Sequence, residues 1–556
     1  DDHSYPFLSC YGDTNVKTPN IDRLAAEGIR FHRFFTAAPQ CVPSRAALLT
    51  GRSPVAARIT RFSSSLPREE ITFPEVLREK AGYYVGVCGR AYHLDGSAGK
   101  GAAAAVINGL IQKHGLKTFA ERFDYVNTGS DAEAVEQMAE FLGRKPKEKP
   151  FFLWLNFSDP HHVWNAPEEE VPDPASLKLP AHWPDLPGMR RDLAAYCGEV
   201  NRLDRSVKKV MEQLDRHGAT AETLVVFCGE NGLALPHGKG SLYDPGLNVP
   251  FVIRWPGVVK PGGESRELLS AEDLGPTLLA AAGVPVPGRM SGVSFLPLLR
   301  GEAFTGRTHV FAERGPHGTA PVSAGMNNSG YDLSRCVRSA RFKFIYNCTP
   351  WLPYGPVDSA GDASWREIVA AHLSGSLAAG LEATYFTVPR PVYELYDLEA
   401  DPSELTNVSG RPEYAADEQA LRESLAEKMI LDFDYLPLPA LGERAAGGTK
   451  KAAGGEDRGA MFKQKDSDRD GRLSKAEFFL GREPADAEKW FTLRDADRDG
   501  FLSRDEFVTN APGKKAQGFP RGGGRRNEAG CAGRVHDESG RFGVAGARGA
   551  GGAYRV

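Results

Sequence analysis

The chain has 556 residues, 41% of them hydrophobic and 25% charged, with a formal net charge of −4. That length exceeds what one core usually organises, so two or more domains are expected, and the near-neutral charge gives no pull toward nucleic acid or an anionic membrane. No apolar run approaches the ~20 residues that span a bilayer, and the eight cysteines, scattered from Cys10 to Cys531, form neither a dense disulfide framework nor a paired CxxC zinc pattern.

The first residues, Asp1-Asp2-His3, read as the end of a strand, with no charged and apolar leader before them; an upstream segment carrying the export signal is expected. Tandem carboxylates are hard oxygen donors that suit calcium or magnesium. Taken alone, the pair fits a solvated turn better. Residues 14–30 predict a helix after Pro19, with Asn20 as its N-cap and Ile21, Leu24 and Ala25 as its apolar stripe.

The string CVPSRAALLTGR follows, from Cys41 to Arg52. Its run after Pro43 reads as a helix beginning at a candidate site, where free N–H groups and the positive dipole end suit an anionic substrate. Cys41 by itself fits a buried structural thiol as well as a functional one.

A helix at 73–81 and an apolar strand from Tyr83 to Cys88 lead into GRAYHLD, which offers a permanent cation at Arg90 and a titratable imidazole at His93. A helix at 131–143 and the strand 151–158 end on Asp159-Pro160-His161-His162. One of these histidines suits proton donation to a leaving group, since histidine titrates near neutral pH. As adjacent residues on extended chain they point apart, which disfavours a zinc pair. A long helix, 188–216, precedes the strand Thr223–Cys228, and then come Glu230, Asn231, His237 and, between glycines, Lys239. VPFVIRW, 249–255, is a further strand. Helices alternating with short apolar strands predict an α/β fold, a mostly parallel sheet with helices on both faces. Ligands in such sheets collect at the carboxyl ends of the strands, where these polar clusters lie.

From residue 305 short segments suggest a smaller antiparallel sheet closed by a helix at 414–430. The expected organisation is a catalytic core at 1–304, a second subdomain at 305–436, a linker at 437–459, a helical module at 460–510 and a disordered Gly/Arg-rich tail at 511–556. The module carries two twelve-residue EF-hand loops. Asp466, Asp468, Asp470, the Arg472 carbonyl, Ser474 and Glu477 occupy the ligand positions of one; Asp495, Asp497, Asp499, the Phe501 carbonyl, Ser503 and Glu506 occupy those of the other.

The ordered set of DD, TPNIDRLAAEG, CVPSRAALLTGR, a basic turn, a strand ending DPH, and ENG…GKGSLYDPG…VPFVIRWPG resembles the type I sulfatases over residues 1 to about 436. SAEDLGPTLLAAAG and YELYDLEADPSELTN belong to the same likeness. GRAYHLDG, DPHH and LPHGKGSLYDPG most resemble the N-sulfoglucosamine sulfohydrolase-like branch. The resemblance implies an alkaline-phosphatase-like fold and a calcium-dependent sulfatase acting on a sulfated saccharide, as O-sulfate or N-sulfamate. It makes Cys41 the precursor of a formylglycine, installed by a formylglycine-generating enzyme, whose hydrate forms a covalent sulfo-enzyme intermediate. Pro43 and Arg45 belong to the recognition motif, and Arg45 later holds the aldehyde hydrate. Asp1, Asp2, Glu230, Asn231 and the modified Cys41 are the implied calcium shell. Arg90, Lys239 and His237 are implied at the sulfate, His93 beside the diol, and His161 at the leaving group.

This sequence departs from the usual pattern in having Glu230 for Asp, Arg90 for Lys, and one extra residue before His93. Two other readings accompany the sulfatase: a formylglycine-dependent phosphonate or phosphodiester hydrolase, and an inactive calcium-dependent glycan-binding protein. Sulfated glycans are mostly extracellular, which implies a periplasmic or extracellular protein, with the EF-hand pair tuned to millimolar calcium.

Overall fold

In a computed structural model of the chain, residues 1–61, 66–90, 109–117, 119–317, 332–436, 458–480 and 484–508 are described. Most of the expected linker, most of the GRAYHLD turn with His93, and the Gly/Arg-rich tail lie outside them. Two compact units are present, Asp1–Ala440 and Leu441–Val556.

In the first unit, helix α1 (Pro19–Ala26) starts two residues earlier than an Asn20 cap requires. Thr18 is the N-cap, Pro19 fills the first position, and Asn20 instead donates from its backbone and side chain to Asp204. The signature string forms helix α2 (Cys41–Thr50), buried on every side. That explains why no amphipathic stripe marks it. Helices α3 (Phe73–Ala81) and α4 (Asp131–Arg144) each begin with a capping box, Thr72 with Glu75 and Ser130 with Glu133. Helix α5 (Pro187–Arg216) packs Leu193, Tyr196 and Val200 against Ile21 and Leu24 of α1.

Strands β1 (Ile29–Phe31) and β2 (Phe34–Phe35) flank the approach to α2, and β2 pairs in parallel with β9 (Leu269–Ser270). Strand β3 (Tyr84–Gly89) pairs in parallel with β4 (Tyr125–Val126) and β5 (Phe151–Asn156). Gly86 in β3 is required by packing: a Cβ there would lie 2.5 Å from the Phe141 ring of α4. A second sheet has the order β6 (Val225–Cys228), β7 (Phe251–Arg254), β1, β8 (Gly263–Ser265). Here β7 runs antiparallel to both β6 and β1, and only β1–β8 is parallel. The expected alternation of helices and apolar strands is therefore present, but β7 reverses. The stretch between β6 and β7 holds only a four-residue helix, Asp244–Leu247, too short for the crossover that a parallel return needs.

Strands β10 (Val310–Arg314), β11 (Ser334–Arg338), β12 (Phe342–Asn347) and β13 (Tyr393–Asp397) form the smaller, fully antiparallel sheet. One face packs Cys336, Ile345 and Tyr396 on Leu242, Tyr243 and Leu247, behind the loop that carries Lys239. Helix α6 (Ala415–Leu431) covers the other through Leu421, Leu425 and Met429. Every residue of β11 and β12 is buried, as a sheet covered on both faces demands. Each cysteine described is a free thiol.

The second unit pairs Arg472–Ser474 with Phe501–Ser503, placing Leu473 opposite Leu502 over a core of Phe462, Phe478, Phe491 and Phe507.

Candidate active site

Cys41 is the first residue of α2, and Arg45 follows one turn later on the same helix face. The Cys41 Sγ lies 3.3 Å from Asp1 Oδ1 and 3.9 Å from Asp2 Oδ1. Arg45 Nη2 donates to Asp1 Oδ2 at 2.9 Å and approaches Glu230 Oε1 at 3.4 Å. The ends of the parallel strands converge on the same point. Arg90, just past β3, sets its Nε 3.1 Å from Asp1 Oδ2, and its Nη2 lies 3.2 Å from His161 Nε2, beyond β5. Lys239 spans the far side: its ammonium contacts Asp2 Oδ2 at 2.8 Å, His161 Nε2 at 3.3 Å and Asp358 Oδ2 at 2.7 Å.

Burial grades across this cluster. The Asp1, Asp2 and Lys239 side chains are at most 1% exposed, whereas Arg90 is 14%, His161 18% and Asp358 29% exposed. The last three therefore form the rim that meets solvent.

Protonation follows from this placement. Burial pushes the Cys41 thiol up to about 12, with Lys239 pulling it down and Asp2 adding to the rise. A neutral, buried thiol is a poor nucleophile. Burial also pushes His161 down to about 4, so its ring is neutral near pH 7. With two cations at Nε2, that atom is the acceptor, and the Nδ1 proton is donated to the His162 carbonyl. Burial opposes the charge on Lys239, but Asp2 and Asp358 outweigh it and hold the ammonium well above its usual range.

The donor set fits a hard cation. Ligand atoms of Asp1, Asp2, Cys41 and His161 lie within 4.8 Å of one another. Asn231 donates its amide to Asp2 Oδ1 at 2.9 Å, while its Oδ1 is buried without a hydrogen-bond partner. An orphaned buried oxygen beside two carboxylates is what an oxygen-coordinated ion satisfies. Glu230 stands aside from that group and turns toward Arg45. In the helical unit Asp466, Asp468 and Glu477 form one such constellation and Asp495, Asp497 and Glu506 another, with Asp466 Oδ1 and Asp495 Oδ1 unpartnered. Asp470 and Asp499 instead receive the backbone N–H of Arg472 and Phe501, each at 2.8 Å.

One expectation is corrected. His237 is fully buried, its ring stacked between His182 and Tyr243 at centroid distances of 4.8 and 3.9 Å, and thus turned into the protein rather than toward a substrate. His93 lies outside the described residues.

Two contributors carry no motif. Asn156, at the end of β5, accepts from Arg45 Nη1 and donates to the Cys88 carbonyl at 3.0 Å. Its one signal is a polar residue closing an apolar strand. Asp358 sits in irregular chain with a left-handed φ of 65° and carries no sequence signal.

A family model described as sulfatase matches residues 1–284, and one described as EF hand matches 459–478 and 487–509. An ulvan-active sulfatase from Formosa agariphila is 27% identical over 464 residues, covering 78% of this chain and 74% of that one. Human N-sulphoglucosamine sulphohydrolase is 25% identical over 459 residues, covering 75% and 86%. Among solved structures, one in complex with its substrate D-glucosamine-2-N,6-O-disulfate superposes with a TM-score of 0.57 at 20% identity, covering 79% and 97%. The phosphonate monoester hydrolase of Agrobacterium radiobacter gives 0.57 at 21%, covering 78% and 94%. These last two establish a shared fold.

Proposed function

The chain belongs to the sulfatase family and is a sulfuric ester hydrolase; on that premise we propose that it removes sulfate from a sulfated glycan, using calcium and a formylglycine made from Cys41. The observation that carries this reading is the convergence of Cys41, Asp1, Asp2, Arg45, Arg90, His161 and Lys239 at the carboxyl ends of β3 and β5 and the start of α2.

Asp1, Asp2 and Asn231 would hold the calcium, with Glu230 balancing Arg45 beside them; the ion would supply a fixed positive charge for sulfate oxygens. A hydrated aldehyde at position 41 would supply the nucleophilic oxygen and a second hydroxyl on the same carbon that drives sulfate release. That requirement agrees with the thiol, which burial renders inert as a nucleophile.

The remaining work falls to side chains already in place. Arg90 and Lys239 orient the sulfate, Arg90 as a planar fork and Lys239 as a point charge. The α2 N-terminus adds its dipole to the same anion. Arg45 fixes the position-41 side chain from one turn below. In the resting protein His161 Nε2 is occupied by the two cations. When sulfate takes those N–H bonds, two positive charges are partly screened from the imidazole and its proton affinity rises, so Nε2 takes up a proton from solvent and passes it to the leaving oxygen or nitrogen.

The EF-hand pair is assigned as a calcium-loaded structural or docking module. No described helix is long and apolar enough to cross a membrane; a periplasmic or extracellular location accords with a sulfated-glycan substrate.

The test is intact-mass analysis of the Cys41 peptide after co-expression with a formylglycine-generating enzyme, where conversion lowers the mass by about 18 Da. Sulfate release from N- and O-sulfated saccharides is then assayed beside phosphate-diester turnover. Diesterase activity without sulfate release would replace this reading with the phosphonate or diester hydrolase, and an unconverted thiol with saccharide binding would point to a glycan-binding protein.

A further inference from the structure

Resting on the sulfatase reading, we propose that Asp358, braced by His317, is a specificity-determining residue: it accepts a hydrogen bond from a hydroxyl or amine next to the scissile sulfate and rejects a second anionic group there.

Asp358 belongs to none of the clusters that the family likeness picks out, yet it is the most exposed charged group of the constellation. One carboxylate oxygen, Oδ2, pairs with Lys239 at 2.7 Å. The other, Oδ1, lies 3.6 Å from His317 Nε2, and His317 Nδ1 is 3.1 Å from Gln40 Nε2, the residue preceding Cys41. The chain thus runs from the residue beside the nucleophile position, through an imidazole, to a carboxylate on the rim. Burial opposes charge on Asp358, but Lys239 and then His317 outweigh it and hold the carboxyl well below its usual range. It is an anion in a site built to receive an anion.

That arrangement discriminates. A sulfate oxygen that takes a hydrogen bond from Lys239 enters the shell that Asp358 Oδ2 already occupies. Substituents on neighbouring sugar carbons are separated by about the length of a hydrogen bond, so the group next to the scissile sulfate falls within reach of Asp358. A hydroxyl or ammonium donor there gains a charge-assisted bond. A second sulfate or a carboxylate meets a fixed like charge, a repulsive element of the kind that sets specificity.

The test uses the full chain and two matched pairs of probes: glucosamine N-sulfate with its 3-O-sulfated counterpart, and N-acetylgalactosamine 4-O-sulfate with its 3,4-disulfated counterpart. The wild type is expected to favour the monosulfated member of the pair it accepts, and D358N, which keeps an acceptor for Lys239, to shrink that kcat/KM ratio by about tenfold. A ratio unchanged within about twofold in both D358N and D358A, with rates for both members falling together, would overturn the proposal and leave Asp358 as a support for Lys239. Because selectivity is a ratio, partial unfolding does not imitate it. Calorimetric binding of the same probes to C41S and to C41S/D358N reads the same preference without turnover. A protein that hydrolyses no sulfate but loses its binding preference in C41S/D358N keeps this inference and loses the sulfatase reading; equal binding in both proteins removes the inference alone.

Discussion

Replacing Asn156 with alanine tests whether Arg45 is positioned from below the site. The residue is 3% exposed; its side chain bonds to neither the metal ligands nor the rim, and its carbonyl accepts from the Arg90 N–H at 3.1 Å, a contact alanine keeps. Its Oδ1 accepts from Arg45 Nη1, and its Nδ2 donates to the Cys88 carbonyl at 3.0 Å, tying the paired ends of β5 and β3. Alanine removes one charge-assisted and one neutral hydrogen bond in a buried setting, so urea unfolding is expected to show a loss of about 2–4 kcal/mol. The guanidinium, still paired with Asp1 and near Glu230, would lose its tether to the end of β5 and shift relative to the position-41 side chain. A displacement on the scale of 1 Å is expected to lower kcat by about 10- to 100-fold. N156D keeps an acceptor for Arg45 but turns an oxygen toward the Cys88 carbonyl, so it should restore part of kcat while remaining destabilised. Rates are measured as sulfate release per formylglycine-bearing molecule, quantified by peptide mass, which separates catalysis from conversion. Full conversion with kcat within about twofold of wild type would refute the positioning argument.

Three further outcomes are expected. K239M leaves Asp2 and Asp358 without their shared cation; denaturant unfolding should show a loss of about 3–5 kcal/mol, and kcat a fall of about 100-fold or more. His182 is fully buried and pushed down to about 3, by burial alone. It therefore stays neutral in the folded protein while the unfolded chain takes up a proton below about pH 6.5, so stability falls with pH, by about 2 kcal/mol from this group between pH 6.5 and 5. Urea unfolding across that range should show a shallower slope for H182F. Calcium titrated into the full chain should change the fluorescence of Trp490, on the helix that leads into the Asp495 loop, and D466A/D495A should abolish that response; an unaltered titration in the double variant would remove the EF-hand assignment.

Local patterns made much of this protein legible. The 3.6-residue stripes placed α1, α4 and α5 to within a residue or two. The short apolar runs located β3, β5, β6 and β7. The EF-hand loops were recognisable because all their ligands fall within twelve consecutive residues, so spacing alone specifies the geometry. The polar clusters at strand ends were legible for the related reason that a parallel sheet gathers them at one edge.

What the sequence by itself determined, then, was whatever a short stretch of chain specifies: the helices and strands, the calcium loops, and the residue types that must face an anion. Tertiary structure decided the rest, because it depends on contacts distant in sequence. It reversed β7, since the chain from β6 has no crossover helix, and it turned His237 inward against His182 and Tyr243. It brought Asn156 under Arg45 across 111 positions. It also set Asp358, from irregular chain with no pattern of its own, against a lysine that the sequence could only mark as a mobile charge.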